Sequence, residues 1–531
     1  MLTFARCQNW IKNPRIVFPF LAVLVSSLVI FTLYLFPLSL INFIFWSVLM
    51  GLACLYRPNW CFFLLLALLP FETLNLLPVE FGLGLRPYQW LLLLLSAALA
   101  VRLLTKRTTW PLFTLHPIDY LFALLAGGAL ISGIAGGGEG LRLGSIVTSF
   151  FALYLLARVF FRTPKDIELA LMTFVSASVP ILFFAILQNS VNAPVGKLTT
   201  VMLGRPNATF SEPDWLGFFA ACLLLLVLGK TLHSVRRMQR GETTFFPTIF
   251  LQSLFLIPIC IVLIISVSRS AWLAAAFGGI VWLVSALVYN GRAVIRETVQ
   301  TLELSIIALV LALIIVTEVP LTRFDLMNRA ESTATGLQEI TVACDGAAAL
   351  PERIENVAEL STIGCRHIFL EERIPLAEAG YTIGTTKRPD PNVTIRASIY
   401  ERTWEEVKAQ PFLGIGWGNI GAVLGRDENG ASYNASNLFL EVWLGAGLLG
   451  LLSLLGFVGF LLYAATKMVQ EKMKGNRLTN YEASAVALSL VAAFLIFNLF
   501  NAGLLLGFVW VFLATLPIIF PFHTNKSSQN V

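Results

Sequence analysis

The chain has 531 residues, 57% of them hydrophobic and only 13% charged, with mean hydropathy +0.78. A soluble chain carries roughly a quarter charged residues, so a soluble globular protein is excluded, and the apolar runs are too long and continuous for the alternating strands of an outer-membrane barrel. The net charge of +6 is spread over short loops, which argues against a nucleic-acid partner.

Apolar runs of about 20 residues, the length that crosses a bilayer as helix, recur from end to end. They lie near 16–36, 38–55, 61–79, 88–104, 117–136, 144–161, 167–188, 213–230, 246–267, 270–290, 302–319, 438–465, 482–501 and 503–521. Pro70 and Glu72 interrupt the third, and only Asn501, Ala502 and Gly503 separate the last two. The first run is too long for a signal core and lacks a small-residue cleavage site, so it reads as a retained helix. The expected fold class is an all-α integral membrane protein of about 12–14 transmembrane helices with one large external loop. Its parts are transmembrane helices over 1–319, a large external loop domain with short helices over 320–437, and C-terminal transmembrane helices over 438–525.

Lys and Arg alternate between poor and rich loops. Arg57, then Arg102, Lys106 and Arg107, then Arg158, Arg162 and Lys165, then Lys230, Arg236, Arg237 and Arg240 fall on one side. The short loops of the other side hold few, among them Arg86, Arg142, Arg205 and Arg269. The rich side is cytoplasmic by the positive-inside rule. Both termini then lie inside, and Arg205, Arg269 and the long loop lie outside. Cys54, Cys61, Cys222 and Cys260 sit in or beside spans as small packing residues. Cys344 and Cys365 share the external loop, where a disulfide is one of the open options. Only His367 stands near them, and no ligand spacing points to a metal.

Three external stretches contain chemistry-bearing residues. In "IISVSRSAWLAAAF", Arg269 stands where two spans meet. Either it snorkels to phospholipid headgroups or its planar guanidinium binds an anion in a partly desolvated hollow. In "MLGRPNATFSEPDWLGFFA", Arg205 precedes Glu212 and Asp214 at a helix start marked by Ser211 and Pro213. The two carboxylates either compensate the helix dipole or orient a hydroxyl near Arg205. In "RTWEEVKAQPFLGIGWGNIGAVLG" and "YNASNLFLEVWLGAGLLGLL", the glycines suit tight turns and close helix packing, and no Walker lysine follows. Asn437 and Glu441 are four residues apart at the top of a span.

Together these stretches resemble the O-antigen ligase and O-antigen polymerase family of bacterial membrane glycosyltransferases. The resemblance rests on "GRPNATFSEP", "SVSRSAWLA", Trp404 with Pro411 seven residues on before "GIGWGN", and "SNLFLEVWLGAGLLG", over roughly residues 120–520. It implies a GT-C-like bundle in the inner membrane and a glycan carried on undecaprenyl diphosphate. The acceptor would be a glycan or lipid hydroxyl, and membrane lipids would surround the enzyme. Neither cofactor nor metal would be needed. Arg205 and Arg269 match the family's two arginines and would hold the departing diphosphate, where fixed positive charge counts most. Arg402 is a third candidate and Asp214 a further contact. Ser436 and Asn437 are further catalytic candidates, and because serine is no base unaided, Glu441, Glu212 or Tyr433 would take that part. Ligases of the family often carry His immediately before the Asn. Ser436 holds that place here, which favours a polymerase-like member. A membrane transporter of the bicarbonate type is the competing expectation, and it should show inverted repeats and broken helices at the midplane.

Overall fold

A computed structural model describes residues 13–190, 205–242, 245–290, 295–319, 321–322, 326, 335–346, 350–368, 372–426, 432–474 and 481–521. The expected C-terminal boundary at 525 lies outside the described residues. The chain is an all-α membrane protein with little sheet. Nine described helices are long and apolar enough to cross a membrane, and five shorter apolar helices occupy the remaining expected spans.

In chain order the helices are α1 (Pro14–Phe31), α2 (Leu40–Tyr56), α3 (Pro58–Leu68), α4 (Pro87–Leu104), α5 (Pro117–Ala135) and α6 (Gly137–Phe160). They continue with α7 (Pro164–Ser190), α8 (Pro213–Gln239), α9 (Phe245–Ile265), α10 (Arg269–Asn290) and α11 (Ile295–Glu318). Prolines open many of these helices, because a first-turn proline has a preset φ and no N–H to leave unpaired. α8 is the hub. It packs on α9, α10 and α11, and it buries apolar side chains all round, from Leu216 and Phe218 to Leu232 and Val235.

The interrupted third span is a half-helix. α3 ends at Leu68, and the chain then runs irregularly to Pro87 with Leu69, Phe71 and Glu72 buried. Irregular backbone at this depth needs internal partners. Thr209 O supplies them for the Glu72 and Thr73 N–H groups and Asn75 Oδ1 for the Leu77 and Leu85 N–H groups, while the Glu72 carboxylate accepts from Arg86 Nη1 at 2.6 Å, from the Tyr88 hydroxyl at 2.8 Å and from the Gly507 N–H at 2.8 Å. The last span is broken as well, into a turn at Gly503–Leu505, a helix at Gly507–Leu513 and a turn at Leu516–Ile519. Glu72 therefore ties two broken elements together.

The long loop holds short helices, at Glu359–Thr362 and Arg373–Glu378, and more besides. It contains an antiparallel sheet of order β2-β1-β3, built from β1 (Leu337–Cys344), β2 (Cys365–His367) and β3 (Thr382–Pro389). Cys344 pairs with Cys365 in register, and their sulfurs are bonded. Alternating apolar residues of β1, Ile340, Val342 and Cys344, close a small core with Ile354 and Leu360. The sequence reading missed this sheet because a strand of eight residues among polar turns has little weight beside twenty-residue apolar runs.

Past β3 the chain returns to the bundle. α12 (Pro391–Ala409) packs on α14 (Leu438–Met473), and α13 (Trp417–Leu424) packs on α6. α14 kinks at Gly447, whose φ of 64° departs from helix. Residues 412–416 fill the break: Ile415 N–H donates to Leu444 O at 2.8 Å, and Leu448 N–H donates to Phe412 O at 3.0 Å. Two glycines make this approach feasible. Gly414 has φ +68°, and a Cβ on it would overlap the Leu444 carbonyl; a Cβ on Gly418 would overlap the Glu139 carbonyl. The glycines of this region are thus structural. α15 (Tyr481–Asn498) packs along α10 and completes the bundle.

Candidate functional site

The residues around Arg205 and Arg269 meet at one turn, Ser266–Ser270, between α9 and α10. Arg205 donates from Nε to the Ser266 carbonyl at 2.9 Å. Arg269 is the first residue of α10. The two guanidiniums are therefore tied to opposite ends of the four residues Ser266–Arg269, one by hydrogen bond and one by sequence. The turn packs tightly on α8, because Gly217 lies against Ser266, Ser268 and Ala271.

Both arginines face carboxylates. Arg205 Nη2 lies 3.2 Å from Asp214 Oδ1, with the Arg205 side chain 6% exposed. Arg269 Nη1 lies 3.0 Å from Asp390 Oδ2, with Arg269 20% exposed and Asp390 fully buried. Asp214 stands in the first turn of α8, as the sequence indicates. Asp390 was not singled out. It immediately precedes Pro391 at the start of α12, a helix-start pattern legible in sequence, but its partner lies on a distant span.

Arg269 sits at the wrong end of its helix for stability. A cation at a helix N-terminus meets the positive end of the macrodipole. The same placement is the one that attracts anions, since free N–H groups and dipole both favour negative charge. Asp390 supplies that charge in this structure.

The backbone is strained in the same places. Four described non-glycine residues have positive φ: Lys106, Ala208 at 47°, Val267 at 50° and Ser436 at 48°. The last three fall one in each of the three motif stretches. A β-branched residue such as Val267 rarely occupies this region, and strain of this kind persists only where the surroundings impose it. Around Ala208 they do so visibly: Gln188 Oε1 accepts from the Ala208 N–H at 2.8 Å and the Asn207 N–H at 3.2 Å, and Thr209 O accepts from Glu72 and Thr73 N–H.

The third motif joins the first two through the α15 end. Asn501 Nδ2 donates to Ser270 Oγ at 2.9 Å, and Asn437 Nδ2 donates to Leu499 O at 3.2 Å. From α12, Arg396 reaches Phe500 O at 3.3 Å, and the Tyr400 hydroxyl donates to Ser436 O at 3.3 Å. Asn437 caps α14, with Oδ1 accepting from Phe439 N–H at 2.9 Å. Its amide is therefore engaged on both sides.

Other candidates have different surroundings. Glu212 is the N-cap residue of α8 by its backbone, with an exposed side chain that makes no cap hydrogen bond. Glu441 is buried; it accepts from Ala435 N–H at 2.7 Å and is hydrogen-bonded by the Trp417 side chain. Arg402 is exposed and donates to Leu424 O at 3.4 Å, at the end of α13 beside Gly425 and Tyr433. Among the described residues, no cluster of His, Cys, Asp and Glu could hold a metal ion.

Residues 254–455 match the family model described as O-antigen ligase. Over this part of the chain the sequence is similar to the O-antigen ligase domain. The matched segment runs from α9 into α14 and takes in Arg269, Asp390, Arg402, Ser436, Asn437 and Glu441, whereas Arg205, Glu212 and Asp214 precede it. No curated protein and no solved structure matches the chain. The O-antigen ligase domain and the many apolar helices mark a multi-pass membrane protein of polysaccharide biosynthesis, of the glycosyl-transfer type. The transporter alternative is not favoured by this match.

Proposed function

We propose that the protein transfers or polymerises oligosaccharide carried on undecaprenyl diphosphate, at the outer face of a bacterial inner membrane. Both termini are cytoplasmic, and the segment 320–437 forms the external part of the enzyme. An acceptor hydroxyl attacks the anomeric carbon, the glycosidic bond to the diphosphate breaks, and the lipid diphosphate leaves with the bonding pair. Arg205 and Arg269 hold that diphosphate, and no metal is required. The observation that supports this most strongly is their attachment to one turn, with Arg269 at a helix N-terminus where an anion is most strongly attracted.

Asp214 and Asp390 hold the guanidiniums oriented until the donor arrives. Glu441 or Glu212 is the carboxylate that takes the acceptor proton. Arg402 contacts the glycan further from the reacting carbon. Ser436 in place of the ligase histidine favours joining glycan chains to each other over transfer to a lipid core.

The test is Arg269→Ala and Arg269→Lys in the source organism. Loss of long surface glycan with accumulation of lipid-linked precursor is expected for both, because a lysine cannot offer the bidentate fork. Unchanged glycan at normal protein abundance would overturn the assignment.

A further inference from the structure

The end of the bundle opposite Arg205 and Arg269 holds a separate cavity. α7 spans the two ends: Asp166 in its first turn lines this cavity, and Gln188 near its other end holds the Arg205 loop. The 22 residues from Asp166 to Gln188, at 1.5 Å each, put about 33 Å between them.

The cavity measures about 670 Å³, within the range of small-molecule sites. Three arginines line it, Arg57, Arg102 and Arg162, against one carboxylate, Asp166. That carboxylate is already engaged: Asp166 Oδ2 accepts from the Thr163 N–H and hydroxyl, each at 2.8 Å, and from the Arg162 N–H at 3.2 Å. Arg102 Nη1 donates to Leu55 O at 2.8 Å, and Arg162 Nε donates to Val159 O at 3.3 Å. These bonds fix the two guanidiniums by one nitrogen each, at the C-terminal ends of α2 and α6. Among the described residues none of the three arginines forms an ion pair. The inner wall is aromatic. Phe18 stacks on Phe63 with centroids 4.1 Å apart, and Trp60 meets Phe18 edge-on at 5.1 Å.

We infer that this cavity binds the phosphate group of an anionic phospholipid, with the headgroup among Arg57, Arg102 and Arg162 and an acyl chain along Phe18, Phe62 and Phe63. Guanidiniums in excess over carboxylates recognise phosphate. The aromatic wall, built by membrane-spanning helices, separates a lipid from a soluble phosphate compound. Basic hollows between spans at the cytoplasmic face are suited to anionic headgroups. The site lies apart from the transfer chemistry and does not rest on it.

The full chain, purified in neutral detergent, is titrated with dioleoylphosphatidylglycerol, with dioleoylphosphatidylcholine and with inorganic phosphate. Bound lipid is read by native mass spectrometry and protection by thermal unfolding. Phosphatidylglycerol is expected to bind at least about tenfold more tightly than phosphatidylcholine and to raise the unfolding temperature, while inorganic phosphate does neither. Arg57→Gln with Arg162→Gln should abolish the preference. Arg57→Gln alone should reduce it without affecting folding, because the Arg57 side chain is exposed. Equal binding of the two lipids, a preference unaffected by both variants, or inorganic phosphate protecting as well as phosphatidylglycerol would each overturn the proposal.

Discussion

Arg269 stands in an electrostatically unfavourable place. Its charge opposes the dipole of its own helix, and a buried Asp390 offsets it. Removing one member of such a pair leaves the other uncompensated, at a cost of about 3 kcal/mol. Asp390→Asn should therefore lower the unfolding temperature, and Asp390→Asn with Arg269→Gln should be less destabilising than the sum of the single changes. Strict additivity in a double-mutant cycle would contradict the pairing. Arg205 and Arg269 were legible in sequence because arginine is scarce on the side opposite the basic loops. Asp390, Ser266 and Asn501 were not, because each acts through a partner far away in the chain. For Asn437 the position was legible but its role was not: its amide caps α14 and reaches Leu499 O, contacts that no spacing announces.

Among the elements, the glycine-rich stretch is where sequence and geometry agree most closely. "GIGWGN" read as a tight turn, and the structure threads it against the kink of α14. Gly418→Ala would press a methyl into the Glu139 carbonyl, an overpacking that costs about 1–3 kcal/mol. Reduced detergent-solubilised yield and a lower unfolding temperature are expected; wild-type thermal stability would contradict the packing. The sheet of the long loop offers a second check. The Cys344–Cys365 bond spans 21 residues, and closing a loop of that size contributes about 3 kcal/mol. Cys344→Ser with Cys365→Ser should make β1 to β3 the first part cut by protease, with the helices intact. The cysteines alone could not announce a sheet, since a disulfide between two loops has the same spacing.

The same layer should be pH-dependent. Burial, then the nearby Arg388 guanidinium, hold the His367 imidazole below its ordinary value, with Glu372 opposing. The folded state thus binds the proton less well than the unfolded chain, whose histidine titrates near about 6.5. His367 contributes stability that is complete above that value and is lost as pH falls through the lower folded value. Protection factors of the β2 amides, corrected for intrinsic exchange, should fall as pH is lowered below neutrality, and His367→Gln should remove that fall.

On the scale of the whole molecule, the span pattern was readable almost completely, because apolar length is a direct consequence of bilayer thickness. What sequence could not convey is that α3 and the final span stop short and are joined through Glu72. A buried carboxylate in an apolar run reads as an interruption until its three donors are seen. The two ends of the bundle also divide the arginines by task. Arg205 and Arg269 are held against carboxylates at the loop-bearing end, whereas Arg57, Arg102 and Arg162 line an open hollow at the other end of α7.

The most direct measurement is glycan transfer by the purified full chain, with a polyprenyl-diphosphate-linked oligosaccharide as donor in metal-free buffer. Longer glycan and free lipid diphosphate are expected from the wild type, which is the prediction at stake. A fall in kcat/KM of about a hundredfold or more is also expected for Arg205→Ala and Arg269→Ala, with folding retained. Wild-type rates from either folded variant, or transfer that stops when a chelator is added, would contradict it.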